Sequence, residues 1–426
     1  MLDIKLLRER PDIVKSDLEK RGEKARAKDV DEFLRLDEQK RKLLYKTEQD
    51  RKARNAINKE IARMRAEKKD ITFNKKQIAT INARIAQNEA KLAKLDARLR
   101  ALRYSFPNIL HESVPKGKDE SDNKPVRTWG RPPKLGFKPL GHSDLMERLD
   151  LVDLPRAAKI AGARFFFLKN ELALLDLALM RFGLDMLVKK GYTPVQPPYL
   201  MKREPYEGVV DLTDFETVMY KVENEDLYLI ATSEHPLVSM HMKETIPEGQ
   251  LPLRYAGFSA NFRKEAGTHG KDTKGIFRVH QFNKVEQLVL TKPEDSWREH
   301  ERLAGITEEL FQKLEIPYRL VNVCTGDIGT VAAKKYDLEA WMPAQAKYRE
   351  MASCSNCTDY QSRRLAIKYG REGKGPIGPV HTLNSTAVVS RILTAILENY
   401  QQADGSVAIP HRLREYMGGL KKIERS

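Results

Sequence analysis

The stretch LPLRYAGFSANFRKEAGTHGKDTKGIFRVHQFNKVEQLVL, residues 251–290, holds a basic, glycine-containing segment between two apolar runs. Apolar and polar residues alternate in residues 251–262 and 277–290, which is the period of half-buried strands. Seven Lys, Arg and His side chains lie between Asn261 and Phe282. The pattern predicts two strands joined by a hairpin-like connection, with an anion bound beside the basic segment.

Further alternating runs lie on both sides of this stretch, at residues 227–234 (LYLIATSE) and 318–324 (YRLVNVC). Before them, residues 172–191 (LALLDLALMRFGLDMLVKKG) predict an apolar helix that ends at Gly191. Strands joined by hairpin-like loops, with helices between them, predict an α+β domain on an antiparallel sheet. We place this domain at residues 105–426 and expect the proline-rich residues 106–140 to form a linker over its surface.

The preceding part of the chain is different, because residues 29–104 contain neither proline nor glycine and have the composition of long helices. A heptad seam alternates steps of three and four residues: Ile78, Ile81, Ile85, Asn88, Leu92, Leu95, Leu99 and Leu102. A weaker seam precedes it, at Leu36, Leu43, Ile57, Ile61 and Met64. Since residues 68–74 (KKDITFN) are typical of a turn, we expect an antiparallel coiled-coil hairpin within a helical arm at residues 1–104. Each helix of ~30–35 residues would be about 50 Å long.

The chain is strongly basic, with a formal net charge of +16 and a pI of about 9.5. Residues 40–76 alone hold fourteen Lys and Arg against five Asp and Glu. An even mixture of charges is typical of the solvated face of a coiled coil, whereas this excess favours phosphate, and nucleic acid is the commonest anionic partner. A membrane surface is the competing partner. Because no window approaches the roughly 20 apolar residues of a spanning helix and no signal peptide is present, we expect a cytoplasmic protein without membrane contact.

The three cysteines are too few and too uneven in number for a disulfide framework, which suits a reducing compartment. Cys354 and Cys357 have the spacing of half a zinc site or of a redox pair. A structural zinc needs four ligands and only Cys324 remains, so we favour a packed turn. The sequence has no Walker-type loop and no G-x-G-x-x-G after a strand, so side chains must hold any nucleotide phosphates.

Six segments in order resemble the seryl-tRNA synthetases, a family of class II aminoacyl-tRNA synthetases, over nearly the whole chain. They are the basic helical hairpin, the helix that leads into GYTPVQPPYL (191–200), TSE (232–234), FRKEAG…GIFRVHQFNKVE (262–286), YDLEAWMPAQAKYREMASCSNC (336–357) and HTLNSTAVVSR…LENYQ (381–401). The resemblance implies that serine and ATP condense to seryl-adenylate with loss of pyrophosphate. Serine then passes to the 3′ end of tRNA(Ser), which the basic arm would bind.

The resemblance also implies an ATP site, in which the bidentate guanidinium of Arg263 would hold the α-phosphate. Glu265 would accept from the adenine amino group, the backbone at Val279 would touch the base, and Phe282 would stack on it. The alternative for Phe282 is an ordinary core aromatic. Arg391 would meet the γ-phosphate. The implied ATP set is Arg263, Lys264, Glu265, Val279, Phe282, Glu350, Met351, Ala352, Ser353 and Arg391, with Arg263, Glu350 and Arg391 as catalytic residues.

A serine site is implied by the same resemblance, at Thr232, Ser233, Glu234, Arg263, Glu286, Asn384 and Thr386. A site that selects serine needs carboxylates and a hydroxyl partner in a tight cavity, because an analogue without the hydroxyl then leaves buried groups unpaired. Taken singly, Glu234 and Glu286 are equally compatible with exposed strand carboxylates.

Glu350 and Ser353 offer hard oxygen ligands, and the resemblance implies that they hold Mg²⁺ together with ATP. Mg²⁺ keeps several waters and takes one or two protein oxygens plus phosphates, so this short ligand set is acceptable. The alternative is a cap at a helix or strand terminus.

Residues 267–275 (GTHGKDTKG) would form a mobile flap that meets the acceptor stem. Lys271 and Lys274 stand there where the resemblance leads us to expect arginine, which changes the contacts. The sequence is also one residue shorter than expected between Thr386 and Arg391. The helix at residues 171–191 resembles the segment that pairs two subunits of a homodimer, and a central core helix fits its pattern equally well.

Two other functions remain open at this point. One is a synthetase-like enzyme that loads an amino acid onto a carrier protein, against which the basic arm argues. The other is an inactive nucleic-acid-binding relative, against which the presence of five residues argues: Arg263, Glu265, Glu286, Glu350 and Arg391.

Overall fold

The computed structural model describes residues 1–210, 217–265, 274–371 and 373–425. The chain divides into two compact units, Met1–Pro107 and Asn108–Ser426. Unit 1 is helical: α1 (Ile4–Glu9), α2 (Pro11–Lys20), α3 (Ala27–Ala66) and α4 (Thr72–Ser105).

Helices α3 and α4 form the antiparallel hairpin that the heptads predict. Ion pairs join their exposed flanks in reverse order: Glu32 to Arg98 at 2.8 Å, Lys40 to Asp96 at 2.5 Å and Glu89 to Arg51 at 2.8 Å. The seam of α4 is buried or half-buried at every expected position, including Asn88 as its polar member. Exposed ion pairs are worth little, so the apolar seam is what holds the two helices together.

One seam residue of α3, Thr47, is a polar residue that the periodicity did not include. It is fully buried, and its hydroxyl donates to the carbonyl of Leu43 at 2.8 Å, so the buried hydroxyl group has a hydrogen-bond acceptor. At the predicted turn, Asp70 accepts hydrogen bonds from the backbone N–H and the hydroxyl of Thr72, at 2.9 and 2.6 Å. This contact starts α4.

Unit 2 holds the β-structure and the remaining described helices. Its strands are β1 (Lys124–Trp129), β2 (Val152–Asp153), β3 (Phe167–Leu168), β4 (Thr193–Val195), β5 (Leu200–Met201), β6 (Tyr228–Leu229), β7 (Thr245–Pro247), β8 (Leu253–Phe262), β9 (Gln281–Thr291), β10 (Tyr318–Asn322), β11 (Lys334–Met342), β12 (Lys347–Asn356), β13 (Lys368–Arg371), β14 (Gly375–Pro379), β15 (His381–Val389), β16 (Val407–Ala408) and β17 (Lys422–Ile423). Its helices are α5 (His142–Arg148), α6 (Leu154–Ala161), α7 (Asn170–Lys189), α8 (Arg203–Glu207), α9 (Glu234–Ser239), α10 (Ser296–Lys313), α11 (Tyr360–Leu365) and α12 (Ile392–Tyr400).

The main sheet of unit 2 has eight strands in the order β1-β10-β11-β12-β15-β9-β8-β4. Every neighbouring pair is antiparallel except β4 and β8, which are parallel at one edge. The α+β fold on an antiparallel sheet is therefore confirmed.

Strands β8 and β9 are the predicted pair of strands, with Leu253 opposite Leu290 and Phe262 opposite Gln281. Residues 266–273, which include Lys271 and most of the predicted flap, lie outside the described residues, so the flap stays an expectation. The described chain resumes at Lys274.

The predicted linker at residues 106–140 is wrong in one part, because Lys124–Trp129 forms β1 at the edge of the main sheet. All six residues of β1 are exposed, and the pairing with β10 shifts between Pro125 and Arg127. An exposed edge strand carries no alternating apolar pattern, and proline is tolerated there because its missing N–H faces outward. The sequence therefore gives no periodic signal for this strand.

Helix α7 packs on the main sheet through one face, where an added Cβ at Gly183 would lie 2.5 Å from Cγ2 of Val388 on β15. Its other face leaves Leu174 and Leu177 54% and 59% exposed. Within the described ranges, no helix combines the length and the apolar composition that crossing a membrane requires.

The close approach of α7 to β15 predicts opposite effects for one substitution at two helical glycines. Gly183→Ala forces its methyl group against a stiff β-branched side chain and should lower the free energy of unfolding by about 1–3 kcal/mol. Gly305→Ala in α10 meets no atom within 4 Å and should raise it by about 0.5–1 kcal/mol. Thermal unfolding of both variants measures the effect. A stabilised Gly183→Ala protein would contradict the close packing.

Candidate functional site

Strands β12 and β15 separate partway along the main sheet. They pair at three positions only, Cys354 with Ser385, Ser355 with Asn384 and Asn356 with Leu383. Beyond these positions β12 continues beside β11 and β15 continues beside β9. Each of these pairs has a bulge next to the separation, at Leu338/Glu339 and at Thr386/Val388, and bulges redirect side chains. The candidate site lies around this opening.

Four polar side chains interlock on the β9 and β15 side of the opening. Lys284 Nζ lies 2.7 Å from Glu286 Oε2 and 2.7 Å from Thr232 Oγ1. Thr386 Oγ1 donates to Glu286 Oε2 at 3.2 Å. All four residues are buried, and Glu286 is only 2% exposed. With Glu234, they are called the inner cluster below.

Glu234, at the start of α9, adds a second carboxyl group. Gln361 Nε2 donates to its Oε1 at 2.8 Å. Desolvation raises the pKa of Glu234 to about 7, and the Glu286 carboxylate adds to this shift against the opposing effects of Gln361, Lys284 and Arg263. The inner cluster therefore holds a carboxyl group that titrates near neutral pH.

Two other expected serine contacts lie at the margin of the inner cluster. The hydroxyl of Ser233 donates to the carbonyl of Gly257 at 3.1 Å and fixes the 232–234 segment to β8. An added Cβ at Gly257 would lie 2.7 Å from this hydroxyl oxygen, so β8 needs glycine there. Asn384, two residues before Thr386 on β15, is buried with its amide 3.8 Å from Cys357 Sγ.

Arg263 follows β8 and lies between the inner cluster and the β12 side of the opening. Its Nε donates to the carbonyl of Ala231 at 3.3 Å, and its guanidinium lies 5.3 Å from the ring centre of Phe282. The charge of Arg263 acts to lower the pKa of Glu234 and of Glu350, so it lies within electrostatic reach of both.

The rest of the expected ATP set surrounds this arginine. Glu265 forms an ion pair with Arg278 at 3.1 Å, Val279 is buried, and Phe282 is partly buried against the main core. Lys264 directs its ammonium to the ring of Tyr220, 5.8 Å from the ring centre. An aromatic ring, a carboxylate and a guanidinium thus lie together on the β8 and β9 ends.

A cavity of about 490 Å³ opens on the other side of Arg263. Its lining is rich in charge, and the residues used below are Phe277, Lys335, Asp337, Arg349, Glu350 and Arg391. They define the outer cavity. The guanidinium groups of Arg349 and Arg391 lie 4.2 and 5.0 Å from the ring centre of Phe277.

Arg391 precedes α12 and is held by backbone carbonyls. Its Nε donates to Phe277 O at 3.0 Å and its Nη1 donates to Glu350 O at 3.3 Å. Desolvation lowers the pKa of Arg391 from its ordinary value, with Glu350 opposing. With the spacing present in this chain, Arg391 therefore reaches the outer cavity.

Glu350 lies on the wall of the outer cavity. Desolvation opposes its ionisation, but the charges of Lys335 and Arg391 outweigh this effect and hold the pKa of Glu350 below its usual value. Met351 and Ala352 are buried, and Ser353 lies opposite Asp337 in the register of β11 and β12. Glu350 thus presents an ionised carboxylate next to several cations.

Cys354 and Cys357 are both buried, and burial raises the pKa of each thiol. Cys324 is buried elsewhere, with its sulfur 3.2 Å from the carbonyl oxygen of Asp119. The packed environment of the two thiols is the one favoured from the sequence.

Two family models match this chain. Residues 1–110 match the model of the seryl-tRNA synthetase N-terminal domain, and residues 218–400 match that of the class II tRNA synthetase core domain (G, H, P, S and T). A serine–tRNA ligase of Nitrosopumilus maritimus is 48% identical over 99% of this chain and 100% of its own length.

The chain belongs to the seryl-tRNA synthetase family. Among solved structures, the seryl-tRNA synthetase of Pyrococcus horikoshii complexed with ATP matches with a TM-score of 0.94 and 50% identity, covering 100% of both chains. The cytoplasmic serine–tRNA ligase of Naegleria fowleri in complex with AMP matches with a TM-score of 0.88 and 39% identity, covering 100% of this chain and 99% of that one. The family resemblance seen in the sequence is therefore confirmed.

Several residues of the site were not anticipated from the sequence, namely Phe277, Lys284, Lys335, Asp337, Arg349 and Gln361. For Lys284 a signal was present, because a period of two places it on the same face of β9 as Glu286. Gln361 and Lys335 lie on α11 and β11, and only the fold brings them to the site.

The raised pKa of Glu234 predicts how stability depends on pH. A carboxyl group with a higher pKa in the folded chain than in the unfolded chain disfavours the fold as pH rises through that folded pKa. Glu234→Gln should therefore raise the free energy of unfolding by up to about 3 kcal/mol at pH 8 and by much less at pH 5.

Glu350→Gln is the matched control, since the lowered pKa of Glu350 predicts the opposite sign. Glu350→Gln should lower the unfolding midpoint at pH 8. This change should be smaller than that of Glu234→Gln, because the open cavity screens the charge of Glu350. Thermal unfolding at both pH values measures the two effects. An equal shift of Glu234→Gln at pH 5 and pH 8 would contradict a carboxyl group that titrates near 7.

Proposed function

We propose that this synthetase activates L-serine with ATP to seryl-adenylate, releases pyrophosphate, and transfers serine to the 3′ end of tRNA(Ser). One observation carries the proposal. Arg263 lies within electrostatic reach of a pocket of paired carboxyl groups and cations that suits an amino acid, and of a cavity with several guanidinium groups that suits a triphosphate. A group held at this arginine would be the phosphate that joins the two substrates.

The inner cluster suits serine by its chemistry. Glu234 and Glu286 offer acceptors to an ammonium group, and Thr386 and Glu286 lie 3.2 Å apart where a small hydroxyl group would meet both. Threonine keeps this hydroxyl, so it must be refused by volume, whereas alanine brings no side-chain donor to the buried Glu286 carboxylate. The serine set proposed from the sequence is therefore retained, with Ser233 positioning its neighbours through Gly257.

The outer cavity suits the polyphosphate of ATP. Arg391 and Arg349 supply guanidinium groups that match phosphate oxygens, and Arg263 would stabilise the charge that develops at the α-phosphate. Phe282 and Glu265 are available to stack on the adenine and to accept from its amino group. Because the reaction is a displacement at phosphorus, positioning and charge neutralisation are sufficient and no enzyme nucleophile is needed.

Mg²⁺ bound with ATP fits this cavity. No group of three or more His, Cys, Asp and Glu side chains that would hold a metal occurs within the described ranges, so phosphates and water must complete the coordination. Glu350 is ionised, and the buried Oδ1 of Asp337, opposite Ser353, has no hydrogen-bond partner among the described residues. We propose Glu350 and Ser353 as the protein ligands. Bound Mg²⁺ would neutralise phosphate charge.

The remaining partners are proposed from the surfaces of the two units. The lysines and arginines of residues 40–76 would bind phosphates of tRNA(Ser). The exposed Leu174 and Leu177 of α7 form an apolar patch that suits the interface of a homodimer. The sparse, buried cysteines suit the cytoplasm.

Amino-acid-dependent exchange of pyrophosphate into ATP tests the activation step. Among all twenty amino acids, serine alone should support the exchange. Arg263→Ala should lower it by about a hundredfold or more, as expected when one transition-state donor is removed. An inactive relative would show no exchange with any amino acid, and a carrier-protein enzyme would show exchange without charging tRNA.

The uneven charge of the hairpin predicts where tRNA binds. Lys75 and Lys76 lie exposed near the tip on α4, and Lys91 and Lys94 lie exposed farther along the same helix. Replacing Lys75 and Lys76 with glutamine should reduce the slope of log affinity against log salt by about 1–2. Each lost phosphate contact lowers the magnitude of this slope by about 0.7–0.9.

The Lys91→Gln, Lys94→Gln protein is the matched control and should keep the slope of the unaltered protein. Filter binding of tRNA(Ser) at several salt concentrations gives both slopes, and serine-dependent exchange should be equal in both proteins. If the slope falls by the same amount in both double variants, the tip of the hairpin contributes no more to tRNA binding than the rest of α4.

A further inference from the structure

Lys284 is a lysine whose ammonium group is enclosed by the inner cluster. Its side chain is only 8% exposed, and Nζ lies 2.7 Å from both Glu286 Oε2 and Thr232 Oγ1. A buried ammonium group is stable only with such partners. Lys284 therefore ties the segment before α9 to strand β9.

The contact with Lys284 determines how Thr232 can bond. The hydroxyl oxygen of Thr232 accepts from Lys284 Nζ and from the backbone N–H of Glu234, the latter at 3.2 Å. A threonine hydroxyl has one donor hydrogen and two acceptor lone pairs. Since both lone pairs are used, Thr232 has only its hydrogen left, and it can act toward a substrate only as a donor.

The same contact determines how Glu286 can bond. Its Oε2 accepts from Lys284 and from the hydroxyl of Thr386. The structure shows no partner for its Oε1 among the described residues. Because Thr386 has given its hydrogen to Glu286, its remaining capacity is as an acceptor. Glu286 Oε1 and Thr386 Oγ1 thus face a substrate as acceptors.

Lys284 also balances the charge of the pocket. The ammonium group of Lys284 neutralises the Glu286 carboxylate 2.7 Å away, and the charge of Arg263 opposes that of Glu234. An amino acid at neutral pH is a zwitterion, with an ammonium group that donates and a carboxylate that accepts. A neutral pocket with separate donors and acceptors matches such a molecule, and a pocket with excess negative charge would favour a cation instead.

We propose that Lys284 is the positioning residue of the amino-acid pocket. It directs Thr232 as a donor and Glu286 as an acceptor, and it keeps the pocket neutral so that a zwitterion with a donor side chain is bound. This inference rests on the proposed function, because it describes how serine is recognised.

Three variants separate charge from geometry. Lys284→Met keeps the length of the side chain and removes its charge and its hydrogen bonds. Lys284→Arg keeps the charge but replaces an ammonium group with a planar guanidinium. Lys292→Met is the matched control, because Lys292 follows the same strand and forms an ion pair with Glu248 at 2.9 Å outside the inner cluster.

Serine-dependent exchange kinetics, with serinamide as a competitive inhibitor, give the decisive readouts. Serinamide keeps the ammonium and hydroxyl groups of serine but lacks the carboxylate, so it is a cation. Lys284→Met should raise the KM for serine by about 10- to 100-fold, the loss expected for hydrogen bonds to a charged group. The KM for ATP should change by less than about threefold, because the ATP contacts are retained.

The ratio of the serine KM to the inhibition constant of serinamide distinguishes recognition from a merely structural role. Lys284→Met should raise this ratio by about tenfold or more, because the pocket gains net negative charge. Lys284→Arg should raise the KM for serine while leaving the ratio near that of the unaltered protein. Lys292→Met should change neither quantity.

The unaltered protein is measured first, since failure to exchange with serine would overturn the proposed function itself. Given that activity, an unchanged serine KM in Lys284→Met would overturn the role of Lys284. Equal losses of serine and serinamide binding would reduce it to a structural role and overturn the charge argument. If Lys284→Met does not fold, Lys284→Gln, which also removes the charge, takes its place: a raised ratio of the serine KM to the serinamide inhibition constant supports the proposal, and an unchanged ratio overturns the charge argument.

Discussion

The buried ion pair between Lys284 and Glu286 is the constraint around which the amino-acid side of the site is built. Both residues lie on β9, which pairs with β8 on one side and β15 on the other. A buried ion pair is stable only if its remaining donors and acceptors are satisfied, and removing one partner leaves an uncompensated charge. Thr232 accepts from Lys284 and Thr386 donates to Glu286, which meets this requirement. The segment before α9 and strand β15 are thereby both bonded to the same ion pair on β9.

The second half of the site depends on an interruption of the sheet. Strands β12 and β15 pair at three positions and then diverge, which opens the main sheet between Glu350 and the residues that precede α12. At this opening the guanidinium groups of Arg349 and Arg391 lie 4.2 and 5.0 Å from the ring centre of Phe277, and Arg391 also donates to the Phe277 carbonyl. The result is a pocket of paired charges and a cavity that holds several guanidinium groups, both within reach of Arg263. Such prearranged charges need little reorganisation during a reaction.

The helical arm follows a simpler physical rule. Its fold comes from the heptad seam of α3 and α4, and its function comes from the unequal charge on the exposed faces. The seam and the charged faces do not interfere, because seam residues are apolar or have a hydrogen-bond partner within their own helix. Thr47, which donates to the carbonyl of Leu43, is an example. Ion pairs between exposed flanks, such as Glu32 with Arg98, orient the helices at little energetic benefit.

The sequence by itself determined the elements whose signals are local or regular. The heptads predicted the hairpin, the alternation in residues 251–290 predicted β8 and β9, and ordered motifs indicated the family and the residues expected to bind serine and ATP. It did not reveal strand β1, because an exposed edge strand has no buried face to create a pattern.

Only the tertiary structure decided which groups meet. Gln361 reaches Glu234 from a helix more than a hundred residues away, and Asp337 comes to lie opposite Ser353 through the register of β11 and β12. The near-neutral pKa of Glu234 likewise depends on desolvation and on a neighbouring carboxylate, which are properties of packing. Periodicity along a chain records which side of an element is buried, whereas the direction of a hydrogen bond depends on the partner that the fold places beside it.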